Sequence, residues 1–209
     1  DKPVNVDLTI VDGLDPSFSV DTATNVVDES AIPAGGENHQ GSDPNGTGTT
    51  TVDGHITINT GSDEIDSFKL DADEFTTLNP TLTSGGDLVT LRENSNGTFS
   101  GMAGGREVFV VTFTSGGAYE FTLTGALDHA APDDSDNTVG TTLDINLPIY
   151  AVDKDSDAVP NPDGSATYDN TNTIIITVTD DVPSIAGNQF TVEEGETVTG
   201  SLSPVGEGA

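Results

Sequence analysis

Apolar residues recur at alternate positions in short runs along most of this chain, and glycine, proline, asparagine and aspartate separate the runs. Period two is the pattern of half-buried strands. It predicts strands over 5–11, 52–58, 63–70, 88–92, 98–100, 108–113, 118–124 and 143–147, the last running on past Pro148 through 149–152. Tyr119, Phe121 and Leu123 share the face expected to enter the core. Residues 173–178 are apolar nearly throughout, as in a strand central to a sheet, and 189–192 and 197–202 predict two further short strands.

The breaks between runs carry turn chemistry. Asn96-Gly97 is a two-residue hairpin signal, Ser115-Gly116-Gly117 supplies glycines for a second hairpin, and Gly85-Gly86-Asp87 turns the chain between runs. Asp71 followed by Glu74 predicts one helical turn that Pro80 stops. Residues 33–51, broken by five glycines and two prolines, predict a long loop, and long loops inside compact domains are usually functional or unstructured. The expected fold is therefore all-β: an antiparallel β-sandwich with long decorating loops and a short helical turn.

Charge changes this picture. Thirty-six acids against five bases give a formal net charge of −31, which repels nucleic acid and anionic membranes and strains a compact fold by self-repulsion. The chain has no cysteine, so disulfides and thiolate metal sites are excluded, and cations are the remaining means of stapling a thin core. No apolar run is long enough to cross a bilayer.

The acids cluster in patterns that suit calcium, a hard cation taking six to eight oxygens. Asp153, Asp155 and Asp157 alternate within Val152-Asp153-Lys154-Asp155-Ser156-Asp157-Ala158-Val159. An EF-hand loop starting at Asp153 requires glycine and glutamate where Ala158 and Gly164 stand, so this is expected to be a loop-and-junction site that borrows ligands, Asp180 and Asp181 first. Asp12 and Asp15, in Asp12-Gly13-Leu14-Asp15-Pro16, and Glu29 are second-rank ligands, and for Glu29 a solvated loop is an equal alternative. Several Ca2+ ions are expected, and magnesium suits these loops less well. His39 and His55 lack zinc-site spacing and read as surface histidines. After 118–124, Asp128 is a candidate to hold an ion with a neighbour, against a solvated acidic tip at 132–136.

Catalytic signatures such as a G-x-S-x-G elbow or an H-E-x-x-H helix do not occur. Neither a catalytic residue nor an organic cofactor site is predicted, and the expectation is a protein that is not an enzyme.

Residues 115–129, Ser115-Gly116-Gly117-Ala118-Tyr119 through Leu127-Asp128-His129, together with Asp153-x-Asp155-x-Asp157 and Ile176-Thr177-Val178-Thr179-Asp180-Asp181-Val182-Pro183, resemble repeat domains of giant RTX-type bacterial adhesins. The resemblance spans 1–183 and implies one calcium-binding β-sandwich adhesin module, with 184–209 as a linker and the start of a following module. It further implies type I secretion, an outer-membrane-tethered extracellular location, a monomeric module in contact with its neighbours in the same chain, and no membrane insertion. The long segments 33–51 and 159–172 favour a module that binds a peptide or carbohydrate ligand on another cell. The alternatives are a passive calcium-rigidified extender of the adhesin stalk and, more distantly, a polysaccharide-acting enzyme.

Overall fold

The structure, a computed structural model, describes residues 17–21, 25–33, 48–59, 64–129, 141–154, 158–159, 172–181, 184–186 and 203–205. The first predicted strand, 5–11, and those at 189–192 and 197–202 lie outside the described residues, as do Asp12, Asp15, Asp155 and Asp157. The strands are β1 (Ser17–Val20), β2 (Asn25–Asp28), β3 (Thr51–Asn59), β4 (Ile65–Leu70), β5 (Thr83–Ser84), β6 (Asp87–Leu88), β7 (Thr90–Glu93), β8 (Phe99–Ala103), β9 (Arg106–Phe113), β10 (Ala118–Leu123), β11 (Thr142–Asp153), β12 (Thr173–Thr179), β13 (Ser184–Ala186) and β14 (Ser203–Val205), with one helix, α1 (Ala72–Leu78).

Alternation dictates two facing sheets. One has six strands in the order β1-β3-β10-β9-β8-β7, and the other has four in the order β2-β12-β11-β4. All pairings are antiparallel except β2 with β12, which run parallel. Tyr119, Phe121 and Leu123 are buried as their spacing predicts, and Ile145, Leu147 and Ile149 of β11 meet them with Ile174, Ile176 and Val178 of β12. The few aromatics are concentrated here. Phe18, Phe68, Phe113, Phe99 and Tyr119 form one chain of ring contacts, and Phe75, Phe109 and Phe121 another. Such rings bury large areas and add edge-to-face attraction.

Two glycines make room for that core. Gly101 of β8 pairs with Phe109, and a Cβ at Gly101 would lie 2.2 Å from the ring. Gly54 stands in the same relation to Tyr119.

The helix forms where Asp71 caps it, its carboxylate accepting from the Glu74 N–H at 2.8 Å. Pro80 lies just beyond its end, as expected. Phe75 is the residue it buries, against Phe109, so α1 closes the side of the sandwich between the β4 and β7 edges. Lys69 and Glu93 pair across that same side. One detail departs from strict alternation. Strict alternation over 63–70 puts Ile65 on the face opposite Phe68 and Leu70, yet all three are buried, because the ladder between β4 and β11 shifts register at Val152/Asp153, skipping Asp66, and turns Ile65 inward.

β13 pairs with β14.

Candidate functional site

β2 and β12 set the site. Their parallel register places Thr179 beside Asp28, so the next residue of each strand, Asp180 and Glu29, emerges at the same end of the small sheet. The Asp28 carboxylate accepts from the Ser30 N–H at 2.9 Å and turns the chain into a short 3-10 segment, Glu29–Ala31. That turn points Glu29 inward. It is 2% exposed, so it is not part of a solvated loop.

The segment after β10 closes over Glu29. The Leu127 N–H donates to Glu29 Oε1 at 2.7 Å, and His129 Nε2 lies 3.3 Å from the same oxygen. The His129 side chain is 4% exposed, and its Nδ1 is buried without a hydrogen-bond partner. One ring nitrogen of His129, one oxygen of Glu29 and one of Asp180 lie within 4.8 Å of one another. Asp180 is fixed to the start of β11 by its N–H donating to the Thr141 carbonyl at 2.8 Å, and its carboxylate accepts from the Thr141 hydroxyl at 3.3 Å.

No lysine or arginine among the described residues balances these carboxylates. Lys69 pairs with Glu93 and Lys154 with Glu64, Arg106 donates to the Ser84 carbonyl, and Arg92 to Asn94. Asp128, next to the imidazole, is committed elsewhere: its two oxygens accept from the N–H groups of Gly85 and Gly86, each at 2.8 Å. Burial works to raise its pKa, but those amides, the Thr83 hydroxyl and the Arg106 charge outweigh burial and hold it below the usual carboxylate value. Asp128 therefore secures the β5–β6 turn.

The expected calcium ligands among the described residues divide between two ends of the sandwich. Asp180 sits beside Thr141 at the start of β11, and Asp153 closes the far end of that strand. At about 3.3 Å per residue the two are roughly 40 Å apart. Val152 bridges Ala158, and the Val159 N–H donates to the Ala151 carbonyl at 3.0 Å, so Ala158 and Val159 lie back alongside the end of β11. One ion cannot join Asp153 to Asp180 or Asp181; the strand length forbids the borrowing of ligands that the sequence suggested. The charge of the cluster fits a cation, but its imidazole does not fit calcium, which takes oxygen donors. His55 is exposed on β3, as read from the sequence.

A cleft of about 520 Å³ adjoins the cluster, between residues 78–83 and the first residues of β11, and His129 lines it. Its wall is an incomplete strand edge. Thr141 faces β12 through its bond to Asp180, so odd residues of β11 turn their backbone groups toward β12 and even residues turn theirs away. On the outward side β4 covers 149–153, the Asp71 N–H reaches the Pro148 carbonyl at 3.0 Å, and Asn79 takes Asn146. The Asn79 amide donates to the Asn146 carbonyl at 2.8 Å and its oxygen accepts from the Asn146 N–H at 2.9 Å. Next along that edge come Asp144 and Thr142, which line the cleft, and no other named strand pairs there.

The domain of unknown function DUF5801 matches residues 24–162, well over half of the chain. The chain belongs to the DUF5801 family. No curated protein and no solved structure matches it. The matched DUF5801 segment contains β2 to β11 and stops before β12, the strand that joins β2 to β11 and carries Asp180 at its end.

Proposed function

We propose that this DUF5801 chain is a calcium-dependent ligand-binding module of a bacterial cell-surface adhesin, exported by a type I system, and that its ligand is an extended peptide carrying basic side chains. The observation that carries the ligand-binding reading is the edge of β11 at Asp144 and Thr142, facing a cleft with its backbone N–H and C=O groups turned outward. An extended peptide completes such an edge by strand addition, main-chain bonds giving affinity and alternate side chains giving specificity. Asn79 already makes the two bonds to Asn146 that an incoming strand would make one step further on.

Charge supports the basic character of the peptide. Asp144 and Asp128 line the cleft, and the net charge of −31 draws cations from a distance. Calcium dependence is supported by the same excess of acids over five bases in a chain without cysteine. Aspartates on alternate residues, such as Asp153, Asp155 and Asp157, repel one another, and a divalent ion among them relieves that repulsion.

Calorimetric titration of the calcium-loaded protein with short lysine-rich peptides tests the reading. Saturable binding that is lost on N-methylation of alternate peptide amides, and weakened by Asp144→Asn, is expected. Binding that ignores N-methylation would overturn strand addition. Calcium-dependent melting without saturable binding to peptide or glycan arrays would instead favour a passive extender, and melting unchanged by a chelator would remove calcium from the account.

A further inference from the structure

We infer that the peptide taken by the β11 edge alternates basic and apolar residues, the basic ones beside Asp144 and the apolar ones over Leu143, Leu82 and Leu78; this rests on the strand-addition reading and deepens it. The open edge at Thr142 and Asp144 is one wall of a cleft, and residues 78–83 are the other. At about 3.3 Å per residue that edge seats roughly three residues of an added strand.

The two faces of such a strand meet different chemistry. Side chains alternate across a sheet, so a ligand residue paired with Asp144 projects on the outer face of the small sheet, and its neighbours project on the face of Leu143. Asp144 is exposed, and its carboxylate accepts from the Thr177 hydroxyl at 2.7 Å, which keeps it on that outer face. Leu143 is partly buried and packs against the hydrophobic core, to which Leu82 belongs. Leu78, at the end of α1, is partly buried as well, and all three leucines line the cleft.

A ligand side chain on the Leu143 face therefore leaves water for an apolar bed continuous with the core, and an apolar side chain gains most from that transfer. A lysine on the other face finds a counter-charge in Asp144. Asp128 also lines the cleft, but its two oxygens already accept from the Gly85 and Gly86 N–H groups, so it answers a ligand charge less than Asp144 does. Charge also weighs against a second copy of this chain as the occupant, since that copy brings another −31 to the same edge.

The test compares three capped peptides on the calcium-loaded protein by calorimetry: leucine and lysine alternating, serine and lysine alternating, and the leucine–lysine composition in scrambled order. The alternating leucine–lysine peptide is expected to bind at least about 10-fold more tightly than either of the others. Leu143→Thr or Leu78→Gln, checked for folding by circular dichroism, should remove that margin and leave the serine–lysine affinity unchanged. Equal affinity for the leucine–lysine peptide and either of the others, or a margin that survives in both folded variants, overturns the inference. Serine–lysine binding that is lost on N-methylation, with no gain from leucine, overturns it alone and spares strand addition. Binding by none of the three, or binding indifferent to N-methylation, overturns both. Dimers of the peptide-free protein that the alternating peptide dissociates would give the edge to a second copy and overturn the inference as well.

Discussion

Asn79 serves Asn146 as a strand would, its side-chain amide donating to the Asn146 carbonyl and accepting from the Asn146 N–H. The same amide also reaches the Phe75 carbonyl at 2.8 Å, at the end of α1. One buried side chain thus ties the helix to the small sheet. Asn79→Ala should leave backbone groups at that edge without partners and cost about 2–3 kcal/mol in urea unfolding. Asn79→Asp should be no better, because it keeps the acceptor but sets a carboxylate against two carbonyl oxygens. Equal midpoints for Asn79→Ala and the parent would show that the pairing contributes nothing.

The Phe109 ring lies over Gly101 so closely that a methyl group has no room. Gly101→Ala forces either the ring or strand β8 to move, and overpacking of this kind costs about 1–3 kcal/mol. Gly86→Ala is the control: its Cβ would meet nothing, but its φ of 83° strains any other residue. Thermal melts should place Gly101→Ala well below the parent, with loss of near-ultraviolet signal from the disturbed aromatic chain.

Helix α1 has a single N-terminal carboxylate cap. Asp71→Ala removes the acceptor for the Glu74 N–H and should destabilise by about 1 kcal/mol. Hydrogen exchange is expected to speed up at Glu74 and Phe75 before it does in β9 or β10.

Acid should loosen the β5–β6 turn. The Asp128 pKa is lowered in the folded protein, so its contribution is fully present above the ordinary carboxylate value and is lost as pH falls through the depressed one. Asp128→Asn should therefore reduce the difference in stability between neutral pH and pH 3. Parallel melting curves of variant and parent over that range would mean that the Gly85 and Gly86 amides do not hold the charged form.

Ion pairs at the surface should matter little. Lys154 and Glu64 are largely exposed, and such pairs are screened by salt. Lys154→Ala is expected to leave the melting temperature within error at physiological ionic strength.

Local pattern made most of the fold legible. The hairpin at Asn96-Gly97, the Asp71 cap, the inward face of Tyr119, Phe121 and Leu123, and the central place of β12 all depend on neighbours in sequence, although that hairpin closes with a three-residue loop, Ser95 to Gly97, and not the two-residue one its dipeptide signals. What escaped depends on distance or on a shift of one residue. Strict alternation sets Ile65 opposite Phe68 and Leu70 until the extra residue in β4, Asp66, turns it in. The parallel pairing of β2 and β12 joins segments about 150 residues apart, and no local signal announces it.

The same divide applies to the site. For Glu29 the sequence leaves loop and ligand open, and the turn that follows Asp28 decides between them; its parity with Asn25 and Val27, both buried, agrees with the inward side. His129 gives no signal of its own in the sequence, because a lone histidine carries no spacing. Asp180 reads as a partner for Asp153 in the sequence, and only the length of β11 shows that the two stand at opposite ends.

The union of β2 with β12 also sets an order of events. Asn25–Asp28 has no strand to lie against until Thr173–Thr179 exists, so an early-made part of the molecule must wait, incomplete, for a late-made one. Contacts so remote slow the search for the native state, and a chain halted at residue 162 would retain most of its larger sheet while leaving the smaller one split into fragments.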